Sequence, residues 1–301
     1  MSKLFKYLHR DGDIQMSLWK LIKRELSESR EEKALAKKKF SKKTYREFSP
    51  WISYYHRGMF FKPTLSKEVA KVHIYEKNNL KINFRKNQSD IYILRENFVS
   101  EIYDFDFEKY VVDAKVIMDL GANIGLSSLY FQSRFKNAKI YCVEPVKQNI
   151  DILFKNSEDN NFNWEIIRGA IQEKNGFVTL YPNEWWSSST VTNSVANHRE
   201  NKKGRLEKIY KLPTEKVDSY SIDYLMEKYN LDQIDILKMD IEGAEESVVM
   251  YGDNWLKKVK ILIIEIHDKY VNRKIITKKL LDFGFVQQIG RNGPTDVFCQ
   301  I

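Results

Sequence analysis

The chain has 301 residues, of which 43% are hydrophobic and 30% charged, and a formal net charge of +9. This length and composition predict one large globular domain with an extension, and they exclude a largely disordered chain. Cys142 and Cys299 lack the spacing of a disulfide framework or a zinc site. The longest apolar run, residues 261–264, is far shorter than the roughly 20 residues of a membrane span. We therefore expect a cytoplasmic protein, at most peripheral to the inner face of a membrane.

The positive charge is concentrated at the N-terminus. The first fifty residues contain fourteen Lys or Arg and seven Asp or Glu, so the rest of the chain is close to neutral. This distribution argues against nucleic acid lying across the main body. Residues 14–40 have helical spacing, with Leu18, Leu21 and Leu26 on one face. We expect a basic helical arm over residues 1–50 that is either solvated or docks on an anionic membrane or a partner enzyme.

After this arm the pattern becomes aromatic and then strand-like. Pro50 predicts the end of the arm, and Trp51 begins an aromatic stretch that packs on the main domain or lines a cleft. Between Lys71 and Ile102 the pattern is strand-like, and the turn pair Asn78-Asn79 indicates a hairpin. We expect an aromatic linker and small β lid over residues 51–105, followed by the main domain over residues 106–301.

The main domain begins with an apolar strand that ends on Asp119 and opens into a glycine loop. Gly121 and Gly125 belong to this loop, and Glu144 ends the next strand, where a carboxylate can bind both hydroxyls of a ribose. Two cofactors compete for such a site, NAD and S-adenosylmethionine. The loop lacks one glycine of the dinucleotide pattern, and Asp119 would repel a pyrophosphate but attract an ammonium group. The pattern favours S-adenosylmethionine over NAD, and over a strand-to-helix turn without a ligand.

Strands and helices alternate from this point to the C-terminus. The alternation predicts an α/β, doubly wound, mostly parallel sheet whose ligand crevice lies at the carboxyl ends of the strands. A long polar loop is expected over residues 183–211, and the last two strands should form an antiparallel hairpin at the sheet edge. Predicted strands cover residues 116–120, 139–143, 164–168, 177–181, 234–239, 260–266, 285–289 and 296–300, and predicted helices cover 124–135, 146–156, 221–229, 244–251 and 271–282.

A second group of ionisable residues follows two later strands. Lys238, Asp240 and Glu242 share one face at the end of the strand over 234–239, and Glu265 and His267 end the next strand. Such groups are costly to bury unless they pair or bind a ligand. Either Lys238 and Asp240 form a local ion pair beside acidic residues in the first turn of the next helix, or the group belongs to a reaction site.

Five blocks, in this order and spacing, resemble the FkbM-type class I methyltransferases. The resemblance covers roughly residues 98–290 and leaves the first ninety residues outside. It implies a seven-stranded Rossmann-like methyltransferase sheet with an N-terminal helical and hairpin extension. It also implies S-adenosylmethionine as cofactor and O-methylation of a hydroxyl, often on a sugar or a natural product. The blocks are residues 119–125, Glu144-Pro145, Gly169-Ala170-Ile171, residues 237–245 and Glu265-Ile266-His267.

The same resemblance assigns roles to particular residues. Glu144 would bind the ribose, the region of Ala170 the adenine, and Asp240 would lie close to the transferring methyl group. The methionine end would be contacted by Asp119, Gly121 and Asn123, in the loop that Gly125 completes.

Methyl transfer to a sugar hydroxyl requires alignment of the acceptor oxygen with the methyl carbon and sulfur, and a base for the hydroxyl proton. His267 and Asp240 are the first candidates for this base, before Glu242 and a Lys238 whose charge burial would suppress. Asp240, Glu265 and His267 could instead hold a divalent metal. Because no metal motif with fixed spacing is present, we expect no metal.

The acceptor site is less clear from the sequence. Trp185, Trp186 and Ser188 combine flat apolar faces with a hydroxyl, which suits a sugar ring, and Glu265 is included as a further substrate contact. The alternative is a polar loop held by two buried tryptophans. The sequence thus predicts an O-methyltransferase acting on a glycan or glycan precursor. Methylation of an RNA ribose, a peptide amide or a natural product, and a non-catalytic binding module, remain alternatives.

Overall fold

The computed structural model describes residues 18–58, 66–181, 214–288 and 295–300. The N-terminal extension contains three helices and a β-hairpin. They are α1 (Leu18–Lys39), α2 (Lys42–Gly58), β1 (Val69–Ile74), β2 (Leu80–Arg85) and α3 (Gln88–Arg95), and α3 continues into a π-helical turn at Glu96–Ser100.

The main domain alternates strands and helices, as the sequence predicts. In chain order it contains β3 (Val116–Leu120), α4 (Leu126–Arg134), β4 (Lys139–Glu144), α5 (Lys147–Asp159), β5 (Glu165–Arg168), β6 (Ala170–Ile171), β7 (Gly176–Leu180), β8 (Glu215–Tyr220), α6 (Ile222–Lys228), β9 (Ile234–Met239), α7 (Glu245–Met250), β10 (Val259–Glu265), α8 (Arg273–Asp282), β11 (Phe285–Gln288) and β12 (Thr295–Gln300). None of the described helices is long and apolar enough to cross a bilayer.

Seven strands form the central sheet, in the order β11-β12-β10-β9-β3-β4-β5. The strands from β10 to β5 run parallel, whereas β12 is antiparallel to both β10 and β11. The predicted doubly wound, mostly parallel seven-stranded sheet with an antiparallel edge is therefore confirmed. The carboxyl ends of β3, β4, β9 and β10 lie side by side at one edge of this sheet.

Both faces of the sheet are covered, so its central strands are buried along their whole length. In β9 all six residues are buried. Alternate residues enter opposite hydrophobic clusters, as Ile236 and Leu237 show. The cluster around Ile236 also contains Phe48 and Phe98 of the extension. Because they share one core, the extension and this face of the domain pack together.

A small second sheet, in the order β6-β8-β7, contains two strands that the sequence analysis missed, β6 and β8. In β8 the side chains of Val217 and Ser219 are buried while most of the others are exposed. Its apolar alternation is therefore too weak to predict a strand. Hydrogen bonding to β6 and β7, which are distant in the chain, stabilises it instead.

The extension differs from its prediction in two places. Helix α2 does not end at Pro50 but continues through it to Gly58. Proline removes one helical hydrogen bond, and the burial of Phe48 and Ile52 on either side of it offsets this loss. Residues 88–95 form a helix rather than a strand, because the side chain of Asn87 caps its first turn by accepting from the backbone N–H of Asp90.

Glycine is required at position 121 because β3 and β9 approach closely there. A Cβ at Gly121 would lie 1.9 Å from the backbone oxygen of Asp240, and the φ angle of Gly121 is +74°. Gly284 has a similar φ of +84° but no atom within 4 Å of its Cβ position. The two glycines thus share the same backbone conformation and differ in the space around them.

We expect Gly284→Ala to cost about 1 kcal/mol of unfolding free energy, from the left-handed backbone alone. Gly121→Ala should cost about 1–3 kcal/mol more, because the β3–β9 contact must open. Urea denaturation of both variants measures the difference. Equal losses would show that the close approach at Gly121 is not a constraint.

Candidate active site

A cavity of about 310 Å³ opens at the carboxyl ends of β3, β4, β9 and β10. This is where open α/β sheets bind their ligands. Its sheet side includes Gly121, Glu144, Asp240 and Glu265, and its other side is formed by the extension through the stretch from Tyr92 to Tyr103. The hairpin was predicted as a lid, but none of its residues 69–85 lies in the cavity wall. The part of the extension that covers the cavity is instead α3 with its π turn.

Asp119 lies behind this wall and is fully buried. Its Oδ2 accepts hydrogen bonds of 2.6 Å from both Ser127 and Ser128, at the start of α4, and its Oδ1 lies 3.3 Å from Nζ of Lys238. Asp119 is absent from the cavity wall, whereas Ser127 and Lys238 belong to it. The predicted contact between Asp119 and a ligand could therefore act only through these two neighbours.

Lys238 connects the two central strands. It lies opposite Asp119 in the β3–β9 register. Its Nζ donates a 2.8 Å hydrogen bond to the backbone oxygen of Gly121 and lies 3.7 Å from Oδ2 of Asp240. Burial lowers the pKa of Lys238, but the charges of Asp119 and Asp240 outweigh burial and raise it. A raised pKa favours the charged form of Lys238, whereas the predicted role as a base needs the neutral amine.

The glycine loop separates packing residues from cavity residues. A Cβ at Gly125 would lie 2.4 Å from Cδ1 of Leu153, so the glycine is what permits α5 to pack here. Gly125 does not lie in the cavity wall. Asn123 does line the cavity, with a left-handed φ of 51°. Its Oδ1 is buried and has no hydrogen-bond partner among the described residues.

Glu144 is a buried carboxylate that three donors hold in place. Its Oε2 accepts from the backbone N–H of Asn123 at 2.9 Å, and its Oε1 accepts from the N–H of Val146 at 2.9 Å and from Nδ2 of Asn149 at 3.1 Å. Burial raises the pKa of Glu144, and the three donors oppose this shift. The carboxylate is thus oriented at the cavity wall, where it retains capacity to accept further hydrogen bonds. Ala170 lines the same end of the cavity.

The opposite end of the cavity carries an acidic cluster around His267. The Nδ1 of His267 is bonded at 2.7 Å to the fully buried Glu245, and its Nε2 lies 3.9, 3.6 and 3.9 Å from carboxylate oxygens of Asp240, Glu242 and Glu265. Burial lowers the pKa of His267, but the bond to Glu245 and the neighbouring acids outweigh burial and raise it to about 10. His267 is therefore a cation at neutral pH and is not in the cavity wall.

Glu265 is an acid in this cluster with a strongly perturbed carboxyl group. Burial, followed by the charge of Asp240, raises the pKa of Glu265 to about 8. Glu242 has a left-handed φ of 53°, which is uncommon for a residue other than glycine and is often found at functional sites. Asp240, Glu242 and Glu265 all lie in the cavity wall.

Donor atoms of Asp240, Glu242 and His267 lie within 4.8 Å of one another, a spacing that a metal ion could use. A metal would have to displace the proton that this acidic surrounding retains on His267. A second such group, Glu25, Glu28 and His56, lies in the extension, where both ring nitrogens of His56 already contact carboxylates. Neither group leads us to revise the expectation that no metal is used.

Asn97 is a cavity residue that the sequence analysis missed. It lies in the π turn, is 1% exposed, and its Nδ2 donates to the backbone oxygen of Ile93 at 2.9 Å. This bond fixes which end of the amide is Nδ2 and which is Oδ1. The Oδ1 atom is a buried acceptor that has no hydrogen-bond partner in the described part of the chain. A π turn is a known mark of functional sites, but the sequence carries no signal for it.

The predicted acceptor residues Trp185, Trp186 and Ser188 lie outside the described residues. Glu265, which was grouped with them, lies in the cavity wall. The acceptor role of the three remains a prediction.

A comparison with protein-family models matches residues 119–286 to the methyltransferase FkbM domain. The chain belongs to the FkbM methyltransferase family. It is therefore a methyltransferase. The match begins at Asp119, so the extension with α1 to α3 lies outside the family domain.

Curated relatives of this FkbM methyltransferase have low identity to it. The chain is 27% identical over 202 residues to the AMB antimetabolite synthetase AmbE of Pseudomonas aeruginosa, covering 59% of the chain but only 10% of AmbE. It is 24% identical to the 2-O-methyltransferase NoeI of Sinorhizobium fredii, covering 62% of the chain and 79% of NoeI. It is 25% identical to the hexuronic acid methyltransferase AglP of Haloferax volcanii, covering 55% of the chain and 61% of AglP.

Among solved structures, the M. capricolum TrmK complex with S-adenosylhomocysteine is similar, with a TM-score of 0.37 and 11% identity over 66% of each chain.

Removal of the buried cation should destabilise the FkbM domain strongly. We expect Lys238→Met to lower the unfolding free energy by about 3–5 kcal/mol, because Asp119 would remain as an uncompensated buried charge. Lys278→Met is the matched control, since Lys278 pairs with Asp282 at 2.6 Å but both side chains are exposed, at 76% and 58%. This control should lose no more than about 1 kcal/mol. Urea denaturation that shows equal small losses would contradict a structural role for Lys238.

Proposed function

We propose that this protein uses S-adenosylmethionine to methylate a hydroxyl of a sugar, glycan or glycan precursor. The observation that carries the proposal is the charge of the cavity wall. Over the described residues the wall contains five acidic side chains, Glu96, Glu144, Asp240, Glu242 and Glu265, and one cationic side chain, Lys238. Such a wall attracts a ligand with sulfonium and ammonium groups and repels the pyrophosphate of NAD.

The residues of the cavity suit the parts of this cofactor. Glu144, whose carboxylate is already oriented by three donors, can accept from both ribose hydroxyls. The unpartnered carbonyl oxygens of Asn97 and Asn123 suit the methionine ammonium, because each is a buried acceptor without a donor in the described structure. Ala170 lies beside the adenine position. When bound, S-adenosylmethionine would supply the electrophilic methyl group.

Glu265 is the base that we favour for the acceptor hydroxyl. Its carboxyl group lies in the cavity wall, and its pKa is raised to about 8. A general base works best when its pKa is close to the pH at which the enzyme operates. The cation His267, which the sequence analysis ranked as a base together with Asp240, has a different role. It lies 3.9 Å from both Asp240 and Glu265 and compensates their charges. Asp240, between Lys238 and His267, orients the hydroxyl that Glu265 deprotonates.

A sugar acceptor is supported by the chemistry of this end of the cavity. Three carboxylates in close proximity offer acceptors to adjacent hydroxyls, which is the pattern a sugar presents. RNA binding depends on Lys and Arg contacts to several phosphates, which this acidic end of the cavity does not offer, so the RNA alternative is disfavoured. The relative AglP is named as a hexuronic acid methyltransferase. Docking of the basic arm on a membrane or partner enzyme remains a prediction.

Calorimetry tests the cofactor. We expect the wild-type chain to bind S-adenosylhomocysteine and not NAD. Glu144→Ala should weaken S-adenosylhomocysteine binding at least about tenfold, through the loss of charge-assisted hydrogen bonds to the ribose.

An activity assay tests the acceptor. Incubation with methyl-labelled S-adenosylmethionine and a panel of hexoses and hexuronic acids should yield an O-methyl ether, detected by mass spectrometry. Binding of NAD alone, or label only on nitrogen or carbon, would refute the proposal.

The pH dependence of kcat tests the base. Glu265 must lose its proton to act, so the rate should rise with pH and level off above about pH 8. Glu265→Gln should abolish this rise and lower kcat by about 10²–10⁴-fold. Glu227→Gln, an exposed position on α6, should keep both the rate and the profile. A Glu265→Gln variant with the wild-type profile would exclude Glu265 as the base.

A further inference from the structure

Arg85, at the end of the β-hairpin in the extension, is a buried guanidinium that contacts both Asp90 and Asn149. Its Nε and Nη2 form a bidentate pair with Asp90 at 2.8 and 2.9 Å, and Nη2 also donates to Oδ1 of Asn149 at 2.8 Å. Arg85 is 4% exposed and Asp90 is fully buried. Because the aspartate compensates its charge, the guanidinium is held in one orientation while it reaches the main domain.

The bond from Arg85 determines what Asn149 offers to its other neighbour. Since Oδ1 of Asn149 accepts from Arg85, its Nδ2 must face the opposite way, and it donates to Oε1 of Glu144 at 3.1 Å. Asn149 is 1% exposed, so no solvent competes for these bonds. A continuous chain of buried hydrogen bonds therefore runs from Asp90 through Arg85 and Asn149 to Glu144.

Two further asparagines fix the hairpin on α5, the helix that carries Asn149. Asn156 accepts from the backbone N–H of Asn83 at 2.7 Å and donates to its oxygen at 3.0 Å. Asn160, one turn later, accepts from the N–H of Lys81 at 2.8 Å and donates to its oxygen at 2.7 Å. The two asparagine side chains thus bond backbone groups at the edge of β2 that a neighbouring strand would otherwise bond. These bonds fix the distance between Arg85 and Asn149.

We infer that Arg85 and Asn149 are positioning residues of the cofactor site, and that the N-terminal extension thereby orients the carboxylate that binds the ribose. This inference rests on the proposed function, in which Glu144 binds the ribose. Neither Arg85 nor the hairpin belongs to the matched family domain at residues 119–286. Without the donor from Asn149, only the backbone N–H groups of Asn123 and Val146 hold Glu144 among the described donors, so its carboxylate is less firmly oriented toward the ribose.

The test measures binding of S-adenosylhomocysteine by calorimetry, together with the melting temperature of each variant. Asn149→Ala should raise Kd about tenfold, because it removes one donor to a buried carboxylate. Arg85→Lys should raise Kd about fivefold, since an ammonium can pair with Asp90 but lacks the planar fork that also reaches Asn149. Asn272→Ala is the control, an exposed asparagine whose side chain accepts from the backbone N–H of Lys274 at the start of α8 and is not part of the hairpin contact, and it should keep Kd within about twofold.

A double-mutant cycle separates positioning from general loosening of the structure. In a Glu144→Ala background, Asn149→Ala should change Kd by less than about twofold, because its effect acts through the missing carboxylate. Wild-type affinity in both Asn149→Ala and Arg85→Lys, or a full additional loss in the Glu144→Ala background, would overturn the inference. Failure of the wild-type chain itself to bind S-adenosylhomocysteine would overturn the proposed function, and this inference with it.

Discussion

The buried ion pair between Asp119 and Lys238 is the interaction on which the site depends. The two residues lie opposite each other on neighbouring central strands, at 0% and 3% exposure. Removal of either partner would leave a lone charge in the core, at a cost far above that of an exposed ion pair. Through Ser127 and Ser128 the carboxylate also fixes the start of α4, and through the backbone oxygen of Gly121 the ammonium fixes the glycine loop.

The same pair explains the distribution of charge in the cavity. Lys238 is largely committed to Asp119 and Gly121, so it only partly offsets the acids at the end of β9 and β10. His267, protonated because of Glu245, supplies the second cation. Even so, carboxylates are in excess, and the pKa values of Glu96 and Glu265 are raised, chiefly by burial. The cationic cofactor that we propose would relieve this excess, which connects the electrostatics of the site to the proposed chemistry.

The sequence predicted the features that local patterns determine. The central strands are apolar on both faces, and the loop at Gly121 and the acid at Glu144 stand at fixed spacings, so the sheet and the cavity edge could be located before the structure was known. The roles of Asp119 and Gly125 could not be read in the same way. Whether a loop residue faces a ligand or the core depends on what packs behind it, here Ser127, Ser128 and Leu153.

The contribution of the extension was the least predictable part. Asn97 enters the cavity because a π turn shifts the register of one helix, and Arg85 reaches Asn149 across 64 positions of the chain. Long-range contacts of this kind leave no periodic signal in a sequence. The protonation of His267 is equally invisible, since it follows from the positions of Glu245 and of carboxylates on two strands.

A crystal structure of the complex with S-adenosylhomocysteine would show which atoms hold the cofactor. We expect both ribose hydroxyls within hydrogen-bond distance of the Glu144 carboxylate, and the ammonium group beside the carbonyl oxygens of Asn97 and Asn123. A complex with the ribose away from Glu144, or with the ligand outside the cavity at the ends of β3, β4, β9 and β10, would contradict this expectation.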